Sequence, residues 1–121
     1  LALNIYHEAR GEALSGQAAV AHVTLNRAED PKYPGTVCEV VAQRNEKACQ
    51  FTWFCQKATV AAADRESFRR ALRVALEVLQ GQRADPTRGA THFITTSMRM
   101  PGWARRLTHT ATIGGHRFFR Y

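Results

Sequence analysis

Long apolar runs, cysteines and acidic side chains are all scarce in this sequence. No uninterrupted apolar stretch approaches the roughly 18 residues that a membrane-spanning helix requires, so we expect no membrane insertion. Only 10 aspartates and glutamates stand against 17 lysines and arginines, which leaves a formal net charge of +7. A basic chain is attracted to polyanions such as nucleic acids, anionic lipids and the acidic polymers of cell walls, and charge alone does not choose among them.

Internal repeats, low-complexity tracts and interdomain linkers are also absent from the sequence. We therefore expect residues 1–121 to form one domain, which is long enough to bury a single core. The chain begins without an initiator Met and inside a predicted helix, so we expect an N-terminal region to have been removed. Its histidines and cysteines match no recognised metal-ligand spacing, and we predict neither a metal nor another cofactor.

Three cysteines are an odd number, which argues against a disulfide framework. Cys49 and Cys55 flank a short segment that could turn and bring the two residues within bridging range. Loop-closure entropy does not decide the pairing, because a bridge from Cys38 would gain nearly the same ~2 kcal/mol. Cys38 lies on a predicted helix with an inward face, so we predict a Cys49–Cys55 disulfide and a buried Cys38 thiol. A disulfide is in keeping with an oxidising compartment.

Helical periodicity and capping residues predict three helices in the first third of the chain. The first covers residues 1–10, and the second begins at Ser15 and ends near residue 27. Thr36 followed by Glu39 forms a capping box at the start of a short third helix, which ends near residue 43.

The longest predicted helix begins at Asp64 or Ser67 and ends at Gly81, which suits a helix C-terminus. Its apolar stripe is predicted from five side chains at helical spacing: Phe68, Leu72, Ala75, Leu76 and Leu79. The other segments are predicted to be a hairpin or loop over 44–57, a turn at 85–89, a strand at 91–95, a helical turn at 101–107, and a turn with a strand over 113–119. The predicted fold is mainly α with a small β-hairpin or short sheet.

Glu8 is the strongest candidate for chemistry. Gly11 ends the first helix, so Glu8 lies in the last turn, where the helix dipole disfavours a negative charge. Partial burial against Ile5 and Tyr6 would disfavour ionisation further, and both effects raise the pKa of a carboxyl group. A general acid that works near neutral pH needs such a raised pKa. From these residues alone, an exposed glutamate in a solvated turn is the more common outcome.

A second carboxylate, Glu12, follows Glu8 at a spacing that a continuous helix would place on one face. Glycosidases use such a pair as a general acid with a base or nucleophile. Gly11 interrupts the helix, however, so we favour a structural role. In that role Glu12 caps the helix that begins at Ser15, or it pairs with Arg10.

Aromatic side chains interleaved with amides and cations are typical of sugar-binding grooves. Three clusters fit this description: Gln50–Trp53, Thr91–Phe93, and Trp103 with Arg105 and Arg106. Ordinary core packing is the better explanation for four of the aromatic rings: Phe51, Phe93, Phe118 and Phe119. His92 and His116 follow turn signals, so each could reach a cleft or could pin a loop by hydrogen bonds.

Several segments, taken in chain order, resemble the SleB-type cell wall hydrolase domain of germination-specific spore-cortex-lytic enzymes. They are Tyr6–Glu12, Gly16–Arg27, Tyr33–Gln43, Cys49–Trp53, Asp85–Phe93 and Ile113–Phe119. The resemblance covers nearly the whole chain. Two residues depart from it: Ile94 stands where an aromatic side chain is expected, and His7 occupies a variable position.

This resemblance implies a lysozyme-like fold, export to the cell wall or periplasm of a bacterium, and peptidoglycan glycan strands as the partner. It implies lytic transglycosylation with Glu8 as the catalytic residue, which protonates the glycosidic oxygen and then takes the proton of the muramic acid C6 hydroxyl. Such a reaction cuts the MurNAc–GlcNAc β-1,4 bond and gives a 1,6-anhydro product. Five residues are expected to bind substrate: Gln50, Trp53, Thr91, His92 and Trp103. We expect a monomer.

Two alternatives stay open at this level. One is a hydrolytic muramidase on the same fold, which would release reducing ends. The other is a non-catalytic basic module that binds glycan or nucleic acid. Nucleic acid is the weaker choice of ligand, because the cations are dispersed along the chain and no recognised binding motif is present, so we expect no nucleic-acid partner.

Overall fold

The computed structural model describes residues Leu1–Tyr121. Six α-helices surround a three-stranded antiparallel sheet, which confirms the predicted mainly α fold with a small sheet. The helices are α1 (Ala2–Ala9), α2 (Leu14–Glu29), α3 (Val37–Val41), α4 (Thr52–Cys55), α5 (Arg65–Leu79) and α6 (Gly102–Arg105), with a 3-10 turn at Ala62–Asp64. The strands are β1 (His92–Thr95), β2 (Thr108–Ile113) and β3 (His116–Arg120). No helix is both long and apolar enough to cross a membrane.

The largest cluster of buried apolar residues lies where α1, α2 and α5 meet. It consists of Ile5, Tyr6, Ala18, Ala21, Ala71, Val74, Ala75 and Val78. Alanine and valine dominate the contributions of α2 and α5, and such small side chains let helices approach closely. Each buried valine or isoleucine removes enough apolar surface from water to stabilise the fold by about 1.5–3 kcal/mol.

The predicted apolar stripe of α5 is wrong for its leucines. Leu72, Leu76 and Leu79 are between 42 and 57% exposed, whereas Ala75 and its neighbours Val74 and Val78 face the core. Helix α5 carries two adjacent apolar stripes, and periodicity alone does not say which one is buried. The smaller side chains pack against α1 and α2. Helix α2, with 16 residues, is also longer than α5, with 15.

The sheet has the order β1-β3-β2, with antiparallel pairing throughout. Its Phe118 packs against α2 at Ala19 and Val23, which fixes the sheet beside the helices. Strand β2 was not predicted, because it is an edge strand whose side chains are exposed or only half-buried and show no apolar alternation. Gly114, with a φ of 55°, makes the tight turn between β2 and β3.

Capping residues predicted the start of α3 and the end of α5 correctly. Thr36 caps α3, and its hydroxyl accepts the backbone N–H of Glu39 at 3.2 Å. Gly81 has a φ of 74° after α5. The expected cap at Ser15 is wrong, since α2 begins at Leu14 with Ala13 in the cap position and no side-chain cap. In the 44–57 segment an isolated bridge joins Arg44 to Cys49, and the helical turn α4 follows.

The structure contains the Cys49–Cys55 disulfide, with Cα atoms 5.9 Å apart. The prediction of a buried Cys38 is wrong, because the free thiol is exposed. Helix α3 turns Val40 and Val41 inward instead. A five-residue helix has room for only one narrow buried face, and two valines occupy it.

We therefore expect a small alkylating agent to label one thiol per native chain, since only Cys38 is free and it is exposed. Unfolding without a reductant should add no label, and unfolding with a reductant should raise the count to three. Intact-mass measurement gives the count, and Cys38→Ser is the control that should abolish native labelling. A native protein that takes up no label, or more than one, would contradict the assignment.

Candidate active site

A cavity of about 570 Å³ opens between the end of α1, the end of α2, strand β1 and the segment that leads into α6. Its walls thus come from parts of the chain that are far apart in sequence. The lining residues are Glu8, Arg27, Gln50, Phe51, His92, Phe93, Ile94, Thr95, Met98, Pro101, Trp103 and His116. Glu8 is the single carboxylate among them.

Glu8 lies in the last turn of α1, which is fixed by burial of Ile5, Tyr6 and Ala9. Its carboxyl group makes no ion pair and no hydrogen bond within the protein. Burial raises the pKa of Glu8 above its ordinary value, and no neighbouring cation opposes the shift. The carboxyl group is therefore suited to carry a proton at higher pH than a solvated glutamate would.

Asp64 binds Arg10, the cation that follows Glu8 by two residues in the chain. The Tyr6 hydroxyl donates to Asp64 Oδ2 at 2.7 Å, and Arg10 Nε lies 3.8 Å from the same oxygen. The Arg10 guanidinium also stacks over the Tyr6 ring, 4.8 Å from its centroid. Arg10 therefore contacts Asp64 and Tyr6, and the predicted pair between Arg10 and Glu12 does not form.

Three of the predicted substrate-binding residues, Gln50, His92 and Trp103, line the cavity with Glu8. The rings of His92 and Trp103 lie 5.4 Å apart, and Trp103 is 38% exposed. Burial, with the charge of Arg27 in addition, lowers the pKa of His92 to about 4. His92 is therefore a neutral hydrogen-bonding group at neutral pH, beside an indole ring that is open to a ligand.

The other two predicted residues, Trp53 and Thr91, lie behind the cavity wall. Trp53 stacks on His7 at a centroid distance of 4.8 Å, and its indole N–H donates to Asn4 Oδ1 at 2.9 Å. These contacts hold α4 against α1. Thr91 is buried, and its hydroxyl oxygen is 3.0 Å from Nδ1 of His92. Both residues thus support the wall that other residues present to the cavity.

Glu12 does not share the cavity with Glu8. The chain turns after Ala9, and Glu12 Oε1 accepts the backbone N–H of Gly115 at 2.6 Å. The same oxygen lies 3.5 Å from Nδ1 of His116, which does line the cavity. The structural role favoured for Glu12 is retained with different partners, since it neither caps α2 nor pairs with Arg10.

Arg27 is the charged cavity residue that sequence reasoning missed. Its guanidinium is buried, donates from Nε to the Thr91 carbonyl at 2.6 Å, and lies 5.0 Å from the Tyr33 ring centroid. It has no carboxylate partner. The available signal was its position on the apolar face of α2, where a charged residue is unusual. Phe51 and Phe93, both predicted to be core, also line the cavity.

Two smaller depressions adjoin the cavity. Gln50 also lines a depression of about 190 Å³ beside Arg44 and Asn45. His92 and Trp103 also line one of about 210 Å³ beside Arg106. Because each depression shares residues with the central cavity, the three together form a groove that is larger than the cavity alone. Such a groove has room for a chain-like ligand beside Glu8.

Comparison with known proteins gives a family match. The model of the Cell Wall Hydrolase family matches residues 11–119, a range that begins just after Glu8. The chain is 36% identical to a spore cortex-lytic enzyme of Halalkalibacterium halodurans, over 98% of this chain and 33% of that protein. It is 30% identical to a spore cortex-lytic enzyme of Bacillus subtilis, over 98% of this chain and 35% of that protein. The chain thus spans about a third of the length of these curated relatives.

Two solved structures have the same fold. The catalytic domain of the Bacillus cereus SleB protein aligns with a TM-score of 0.78 and 28% identity, covering 98% of this chain and 85% of that one. The catalytic domain of the germination-specific lytic transglycosylase SleB from Bacillus anthracis aligns with a TM-score of 0.79 and 28% identity, covering 98% and 89%.

We expect the His92 ring to titrate near pH 4, because burial and the charge of Arg27 disfavour its protonated form. An unfolded chain would protonate this ring near pH 6.5, so His92 should reduce stability progressively as the pH falls from about 6.5 to 4. NMR titration of ring resonances, assigned with a His92→Gln variant, measures the pKa. An ordinary pKa near 6.5 would contradict the buried, cation-adjacent position.

Proposed function

Because the chain belongs to the cell wall hydrolase family, we propose that it cleaves the MurNAc–GlcNAc β-1,4 bond of peptidoglycan glycan strands. The observation that carries the proposal is one unpartnered, partly buried carboxyl group, Glu8, in a groove. We propose that the product is a 1,6-anhydromuropeptide and that the enzyme acts outside the cytoplasm, at the cell wall. The names of the spore cortex-lytic relatives support this substrate class.

In the first step, Glu8 is a general acid. Its protonated carboxyl donates to the glycosidic oxygen as the bond from that oxygen to C1 of the muramic acid breaks. The electrons of this bond stay with the leaving sugar, and positive charge develops at C1 and the ring oxygen. The raised pKa of Glu8 increases the fraction of enzyme that holds this proton near neutral pH.

In the second step, the Glu8 carboxylate is a general base. It accepts the proton of the C6 hydroxyl of the same muramic acid, and the C6 oxygen attacks C1 to close the anhydro ring. Glu8 ends the cycle protonated, as it began. The attack is intramolecular, so proximity favours it over attack by water.

A hydrolytic muramidase would need a second carboxylate as nucleophile or water-activating base, roughly 5–9.5 Å from the first. No other carboxylate lines the cavity, and the Glu12 carboxylate accepts a hydrogen bond from the Gly115 N–H at the β2–β3 turn. This difference supports transglycosylation over hydrolysis.

The groove has the chemistry that a glycan strand requires. The exposed face of Trp103 can stack on the apolar face of a sugar, and Gln50 can hydrogen-bond its hydroxyl and acetamido groups. The net charge of +7 attracts the chain to the anionic polymers of a cell wall.

Glu8→Gln should lower activity at least ~10²-fold, because the amide keeps the shape of the side chain and cannot exchange a proton. Loss of turbidity of purified sacculi measures activity, and thermal melting should be unchanged. Glu39→Gln is the matched control. Glu39 is an exposed residue of α3, so this variant should keep the wild-type activity. Wild-type turnover in the Glu8→Gln variant would end the catalytic assignment.

Digestion in ¹⁸O-labelled water should give anhydromuropeptides without the label, each lighter than its hydrolytic counterpart by one water. Mass spectrometry of the released fragments makes the comparison. Label at new reducing ends would show hydrolysis and would overturn the transglycosylase mechanism, while the Glu8→Gln variant would still test the role of Glu8. Binding to sacculi without any released fragment would indicate a non-catalytic module.

A further inference from the structure

His116 is a nearly buried histidine on the wall of the catalytic cavity. It begins strand β3, is 6% exposed, and lines the cavity that contains Glu8. The Phe93 ring meets it edge-on, with the centroids 5.1 Å apart and the planes at 86°. Packing on this side restricts the imidazole to one orientation.

The two ring nitrogens of His116 have different surroundings. Nδ1 is sealed from solvent and faces Glu12 Oε1 at 3.5 Å. Nε2 is not sealed from solvent, and no protein group forms a hydrogen bond with it, so this edge of the ring opens to the cavity. The protein thus provides a carboxylate for one nitrogen and leaves the other for a ligand.

Glycines make the slot that holds the Glu12 carboxylate. A Cβ added at Gly114 would lie 2.5 Å from Glu12 Oε1, and one added at Gly16 would lie 3.0 Å from the Glu12 Cβ. Gly115 donates its N–H to Oε1, and the Gln17 amide donates to the Glu12 carbonyl at 3.2 Å. The Glu12 backbone is therefore held from α2, and its carboxylate is held from the β2–β3 turn.

A carboxylate only accepts hydrogen bonds, and a neutral imidazole carries one N–H. The acceptor that faces Nδ1 at 3.5 Å favours a proton on that nitrogen, which would leave a lone pair on Nε2. Burial lowers the pKa of His116 even though Glu12 opposes the shift, so the ring is neutral at neutral pH.

We propose that Glu12 is a positioning residue that holds His116 in the Nδ1–H tautomer, so that Nε2 accepts a hydrogen bond from the sugar bound beside Glu8. The ligand is a hydroxyl or N–H donor of that sugar, and this inference rests on the proposed function. Glu8 remains the group that exchanges protons with the reacting atoms. His116 fixes the orientation of the sugar, on which an intramolecular attack depends.

The tautomer is measured on the free protein, without substrate. Long-range ¹H–¹⁵N spectra, assigned with His116→Gln, should show a protonated Nδ1 and an unprotonated Nε2. Glu12→Ala should let the Nε2–H form become populated, because it removes the oxygen that faces Nδ1, whereas the amide oxygen of Glu12→Gln can keep its place against both Gly115 and Nδ1 and should preserve the tautomer. A wild-type Nε2–H tautomer, or a tautomer that Glu12→Ala leaves unchanged, would overturn the inference.

Activity supplies the second readout. Glu12→Ala and His116→Gln should each lower kcat/KM on soluble glycan strands roughly 10-fold, the effect of losing one oriented hydrogen bond. The double variant should be no worse than the worse single variant, because both changes remove the same contact. His109→Gln, at an exposed histidine on β2, is the matched control that should keep wild-type kcat/KM. Thermal melting of every variant separates this loss from unfolding.

The outcomes keep the two proposals distinct. Wild-type kcat/KM in a folded His116→Gln variant would overturn the role of His116 and leave Glu8 as the acid/base. A wild-type protein that releases no anhydromuropeptides would end the proposed function, whatever the tautomer of His116.

Discussion

The partial burial of the Glu8 carboxyl group, without a hydrogen bond or an ion pair, is the constraint on which the rest of the site depends. A carboxyl group that is desolvated and unpaired holds its proton more tightly, because burial penalises the charged form. The fold maintains this state actively. Core packing fixes α1, and Asp64 binds both Tyr6 and Arg10. Arg27 lines the cavity, but its guanidinium donates to the Thr91 carbonyl and makes no ion pair with Glu8.

The walls around Glu8 are joined by polar contacts between elements that lie far apart in the chain. Arg27 links α2 to the residue before β1 through the Thr91 carbonyl, and its guanidinium stacks beside Tyr33. Trp53 joins α4 to α1 through Asn4. A planar guanidinium and an indole each combine apolar area with directed N–H donors. Each can therefore pack against a neighbouring ring and hold a second element by a hydrogen bond. The groove thus keeps its shape without a large core of its own.

Local signals predicted the elements whose cause is local. The helix that carries Glu8 ends where Gly11 indicated, Thr36 caps α3, and Gly81 follows α5 with a positive φ. Sequence periodicity did not predict correctly which side chains are buried where burial depends on the element that packs against them. The exposed leucines of α5 and the exposed Cys38 were expected to face inward, since periodicity defines a face and does not say what covers it.

The sequence by itself determined the family resemblance, the mainly helical fold and the position of Glu8 at a helix end, because each depends on residues close together in the chain. Tertiary structure alone decided which residues share the cavity with Glu8. Arg27 and Phe93 enter it, Trp53 and Thr91 stay behind it, and Glu12 meets His116 from the other end of the chain. Side chains so distant in sequence meet only when the sheet packs against α2, and no local pattern records that contact.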